Sequence, residues 1–136
     1  MNSFSSSYRQ LTLHMCFVAK YRHKVFLYPR VKRLCEAQLR RTAEQAGIKI
    51  KEIGFDKDHV HLLVSVKPTT SPSKIAHLLK GASAFVLLRA FPWLRTRYFW
   101  CGHFWSPAYF FDSVGTNTYE RLEEYVKNQG SEYHRF

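Results

Sequence analysis

The chain has 136 residues, with 21 Lys and Arg against 10 Asp and Glu, a formal charge of +11, and 46% hydrophobic side chains. That length and apolar share suit a single domain, 1–136, with a real core, and no apolar run approaches the length of a membrane span. The three cysteines, Cys16, Cys35 and Cys101, are widely spaced with no Cys-x-x-Cys, which excludes a disulfide framework and a zinc ribbon and fits a reducing compartment.

The N-terminus lacks a signal-peptide pattern, so a cytoplasmic protein with no membrane partner is expected. The charge excess repels itself and adds nothing to stability; it points to a polyanionic partner, most often nucleic acid. Aromatic residues make up 16% of the chain. Cations interleaved with rings suit single-stranded nucleic acid, where phosphates meet charge and bases stack. The same rings can equally be core.

Residues 1–8 are Ser-rich, and a loose segment is expected there. Residues 11–19 read as a well-covered strand, with Leu11, Leu13, Met15 and Phe17 on one face. The basic and aromatic cluster Lys20-Tyr21-Arg22-His23-Lys24 follows in a loop or strand end, either as a solvated turn or as a phosphate contact. Pro29 opens a helix whose stripe is Val31, Leu34, Cys35, Gln38, Leu39 and Thr42, and Gly47 caps it. Residues 48–53 alternate strictly, as a half-buried strand does. A turn at 55–58 leads into a strand at 59–66, which makes a hairpin.

Ser71 is an N-cap and Pro72 the first residue of a second helix, which ends before Pro92. Its predicted apolar face is Ile75, Leu78, Leu79, Ala82, Phe85 and Val86, and Gly81 inside it implies close packing there. Residues 93–111 read as short strands or extended segments, with Ser106–Phe111 the best strand. A last helix is expected from about Thr118 to Asn128, with Gly130 beyond it. The order of elements is that of an α+β, ferredoxin-like or RRM-like antiparallel sheet with helices on one face, plus a C-terminal helix.

The stretch around His59 carries chemistry. Val60, Leu62, Val64 and Val66 form an apolar strand face, and His59 and His61 point the other way. Two imidazoles about 7 Å apart along one strand face can share one metal ion, although a single strand histidine is more often a surface or hydrogen-bonded residue. Asp56 and Asp58 are turn residues or partners of the ion through water. Tyr125 and Gln129 are four apart and so neighbours on the last helix. They can simply pack there.

Taken together, these parts resemble a known family, the single-tyrosine HUH transposases (TnpA type) of the smallest prokaryotic insertion sequences, the IS200-like transposases. The resemblance rests on Lys20-Tyr21-Arg22, on residues 58–64 with their His-hydrophobic-His element, on residues 75–81, on residues 104–110, and on Tyr125-Val126-Lys127-Asn128-Gln129. It implies that the C-terminal helix carries a catalytic Tyr125, and that His59, His61 and Gln129 hold one divalent metal, Mg²⁺ or Mn²⁺. It also implies cleavage and rejoining of single-stranded DNA hairpins at element ends through a 5′-phosphotyrosine, without ATP. A homodimer with active sites shared between chains is a further implication. Lys20, Arg22, Lys24, Arg30, Lys74 and Lys80 are then the candidate hairpin-binding residues, with Lys127 beside the nucleophile. Two alternatives stand: a relative that processes repeat hairpins, and a non-catalytic RRM-like binder of single strands. A 2H phosphoesterase would need two His-x-Ser/Thr elements, which the chain lacks.

Overall fold

A computed structural model describes residues 10–114. In chain order they form β1 (Leu11–Ala19), two 3-10 turns (Lys20–Arg22 and Val25–Leu27), α1 (Pro29–Gln45), β2 (Lys49–Phe55), β3 (His59–Val66), α2 (Pro72–Ala90), a short α3 (Trp93–Arg97) and β4 (Trp105–Val114). The strands form one sheet in the order β2-β3-β1-β4, with every neighbouring pair antiparallel. This is the expected α+β, ferredoxin-like arrangement. The final helix expected from Thr118 lies outside the described residues.

The two central strands carry the core. Leu13, Met15 and Phe17 of β1 and Val60, Leu62 and Val64 of β3 form one buried layer with Val31, Cys35 and Leu39 of α1 and Ile75 and Leu79 of α2. Each such side chain withdrawn from water stabilises the fold by roughly 1.5–3 kcal/mol before entropy is counted. A half-buried β3 would show alternating exposure. All eight of its residues are buried instead, because it lies between β2 and β1 and its histidine face is covered as well.

Local signals fix the helix ends. Gly47 sits at φ +75, its N–H bonds Glu44, and the N–H of Ile48 reaches back to Ala43 at 2.8 Å. That is the Schellman arrangement, which a left-handed glycine makes easy. At α2 the Ser71 hydroxyl accepts from the Lys74 N–H at 3.3 Å, and Pro72 follows.

Three expectations need correction. The buried face of α2 is Ile75, Ala76, Leu79, Ser83, Leu87 and Leu88, while Leu78 and Phe85 are exposed. The face is rotated because Ser83, a polar residue, is satisfied inside: its hydroxyl donates to the Leu79 carbonyl at 2.7 Å and accepts from Trp105 Nε1 at 2.9 Å. Gly81 is not closely packed, since a Cβ there would meet nothing within 4 Å. Residues 93–97 are helical rather than extended, and the Leu94 carbonyl receives the N–H groups of Tyr98 and Phe99. Phe99 and Phe104 are then buried against each other, 5.0 Å between ring centroids, while Trp100 is left 82% exposed.

Candidate active site

The hairpin between β2 and β3 closes with the Asp56 N–H on the His59 carbonyl at 2.9 Å. From there β3 alternates, so His59 and His61 share the face opposite Val60 and Leu62. Both are fully buried, and their ring centroids lie 4.9 Å apart, close to perpendicular. The two rings converge more than their spacing along the strand requires.

Each ring is held through Nδ1. Asp58 Oδ1 lies 2.7 Å from His59 Nδ1, and the other carboxylate oxygen accepts from Arg22 Nε at 3.1 Å. Asp58 is itself buried, and its backbone carbonyl accepts from Ala19 N–H. On the second ring, His61 Nδ1 lies 2.8 Å from His14 Nε2, with the two imidazoles stacked at 5.0 Å. Burial pushes the His14 pKa down, and Asp112, its partner across β4, pulls weakly the other way. A neutral His14, with Nε2 unprotonated, can accept a hydrogen bond from the His61 Nδ1–H.

With Nδ1 engaged, Nε2 is the nitrogen that each ring offers to an ion. Two imidazoles, one backed by a carboxylate and one by a second imidazole, are the donor set of a divalent metal site with an organised outer shell. The residues present fit such an ion. Cys16 completes the picture from β1, directly across from His61 in the ladder. The ligand atoms of Cys16, His59 and His61 all lie within 4.8 Å of one another. Burial, with Asp58 adding to it and Arg22 opposing, pushes the Cys16 thiol up to about 12.

The other expected residues fall as follows. Lys20, Arg22 and Lys24 lie in the turn after β1, where Tyr21 and Arg22 both adopt left-handed backbone, φ 61 and 57. Arg22 is engaged with Asp58, and the Lys20 ammonium lies 5.2 Å over the Tyr21 ring. Arg30 stands at the start of α1 over Phe91, and Lys74 in the first turn of α2. The Lys80 ammonium is half-buried and bonds the carbonyls of Ser106, Pro107 and Ala108, where it steadies the start of β4. Asp56 keeps a turn role, accepting from Lys57 N–H. Tyr125, Lys127 and Gln129 lie outside the described residues.

Sequence reasoning missed His14 and Cys16 as parts of the site and undervalued Asp58. The signal was present in β1, where His14 and Cys16 alternate with Leu13, Met15 and Phe17. Only the sheet order β3-β1 turns that alternation into a shared face with the histidine pair.

Comparison with known proteins shows the family. A family model described as "Transposase IS200 like" matches residues 7–129. The chain is similar to the ISDra2 transposase TnpA of Deinococcus radiodurans, 34% identical over 120 residues that cover 88% of this chain and 84% of that one. It is similar to the transposase for insertion sequence element IS200 of Salmonella typhimurium, again 34% identical, over 85% of this chain and 74% of the other. A crystal structure of a candidate transposase from Deinococcus radiodurans R1 matches with a TM-score of 0.70 and 32% identity, over 89% of this chain and 92% of that one.

Proposed function

The chain belongs to the IS200-like transposase family, and on that premise we propose that it cleaves and rejoins single-stranded DNA at the hairpin-bearing ends of its own insertion sequence. Tyr125 is the nucleophile in this reading. His59, His61 and Gln129 hold a divalent cation, Mg²⁺ or Mn²⁺. The observation that carries the reading is the buried His59/His61 pair, each ring turned by a hydrogen bond through Nδ1. A core strand has no use for two buried imidazoles with dedicated outer partners.

When bound, such a cation supplies a Lewis acid that draws charge from the scissile phosphate. The chain's own groups do the rest. The Tyr125 oxygen attacks phosphorus, the bond to the 3′-oxygen breaks, and the phenol proton passes to that leaving oxygen. A 5′-phosphotyrosine and a free 3′-OH result. The phosphodiester energy is kept in the protein–DNA bond, so a second 3′-OH can reverse the step on a new strand without a nucleotide cofactor. Asp58 fixes the His59 ring, and Arg22 neutralises that carboxylate from the turn. Lys20, Lys24, Arg30 and Lys74 supply cationic contacts for the hairpin backbone, with Lys127 near the cleaved phosphate. Lys80 acts mainly through its hold on residues 106–108. The protein works in the cytoplasm as a homodimer, in which the tyrosine of one copy can serve the histidines of the other.

Incubation with single-stranded DNA from the element's ends and Mn²⁺ tests the reading. A covalent protein–DNA band should appear in a denaturing gel. Tyr125→Phe should lose that band and keep hairpin binding; an undiminished band from Tyr125→Phe removes Tyr125 as the nucleophile.

A further inference from the structure

We propose that Cys16 turns the His59/His61 pair into a tight site for Zn²⁺, and that zinc seated on these three residues shuts out the hard cation that cleavage uses. The inference rests on the reading above, in which the two histidines hold the working ion.

The geometry comes first. Cys16 and His61 are direct partners on the two central strands, and His59 follows on the same face. All three are fully buried. Zn–S bonds of about 2.3 Å and Zn–N bonds of about 2.0–2.1 Å put N and S ligands of one tetrahedral ion roughly 3.5 Å apart. The three donors already lie within 4.8 Å of one another. A shared ion requires the three side chains to turn and close that difference.

The chemistry decides which ion gains. Mg²⁺ prefers oxygen donors, Mn²⁺ tolerates imidazole nitrogen better, and thiolate sulfur suits softer ions. A thiolate with two imidazoles is a zinc donor set, three protein ligands with the fourth position open. The outer shell is in place: Asp58 behind His59, His14 behind His61. As the Zn–S bond forms, the Cys16 proton leaves to solvent, and no electron changes hands.

The two occupants exclude each other, because both need the same imidazole nitrogens. The hard ion completes its shell with oxygen donors. Zinc completes its shell with sulfur, and the thiolate's negative charge blunts the pull on a phosphate. The cleavage step proposed above uses no thiol, and a serine in place of Cys16 would leave the site without a soft donor. The cysteine makes the enzyme sensitive to free zinc.

Co²⁺ is the probe, since a thiolate ligand gives it an intense near-ultraviolet charge-transfer band that nitrogen and oxygen ligands do not. The full chain is used with Cys101→Ser, because Cys101 is exposed, whereas Cys35 is sealed in the core. The band should appear with one Co²⁺ per chain and disappear as Zn²⁺ displaces it. Cys16→Ser and Cys16→Ala should each lose the band and weaken Zn²⁺ by more than the roughly 10–100-fold that loss of an outer partner brings. Mn²⁺ affinity should shift far less. Zinc should suppress Mn²⁺-supported adduct formation competitively, at a concentration that rises with the same substitutions. A Co²⁺ complex without the charge-transfer band overturns the proposal, even if neither variant folds, and so does unchanged Zn²⁺ affinity in a folded variant. If Mn²⁺ binds and no thiolate band forms, only the role of Cys16 falls. If none of the three ions binds, the metal reading of the histidine pair falls with it.

Discussion

His14 shows how much a single side chain can do without touching substrate. Its Nε2 lies 2.8 Å from His61 Nδ1, and burial keeps it neutral, so it fixes which nitrogen His61 presents. His14→Leu keeps the bulk and removes the acceptor. Mn²⁺ affinity should fall by about 10–100-fold, measured by calorimetry. His14→Gln, which can still accept, should recover part of it. An unchanged affinity in a folded His14→Leu protein would show that the ring is only packing. The histidine pair itself was legible in the sequence, because Val60, Leu62 and Val64 mark the core face and leave His59 and His61 opposite. His14 and Cys16 were not, since their role depends on which strand lies beside β1, a contact 47 residues away in sequence for the His14–His61 pair.

Elements joined by polar contacts were the hardest to read. The two ends of α1 and the start of α2 follow from Pro29, Gly47, Ser71 and Pro72, all local signals. The buried face of α2 follows from Ser83, whose hydroxyl joins the helix to Trp105 of β4. Hydrophobic periodicity cannot reveal a serine that is buried because it is satisfied. Ser83→Ala should leave the Trp105 indole N–H without its acceptor and destabilise the fold by about 1–3 kcal/mol. Urea unfolding would record it as a lower midpoint with little change in slope. A midpoint equal to that of the parent protein would mean that the indole finds another acceptor.

At the scale of the whole molecule, the formal charge of +11 governs association. Among the described residues no helix is long and apolar enough to cross a membrane. Each phosphate neutralised on a single strand steepens the fall of log affinity with log salt by about 0.7. The double substitution Lys20→Ala, Lys24→Ala should flatten that slope by about 1.4 if both contact the strand. A fluorescence-anisotropy salt series measures it. An unaltered slope would assign both lysines to solvent.

The turn after β1 holds two successive residues, Tyr21 and Arg22, at φ 61 and 57. Left-handed backbone costs a residue with a Cβ roughly 1–2 kcal/mol, so this bend behaves as a wound spring. Asp58 is its catch, gripping Arg22 on one side and His59 on the other. Asp58→Asn should slip the catch: amide protons of residues 20–24 should exchange with deuterium faster, while those of the central strands keep their protection. Exchange that stays slow throughout would mean that the bend is latched by something other than this carboxylate.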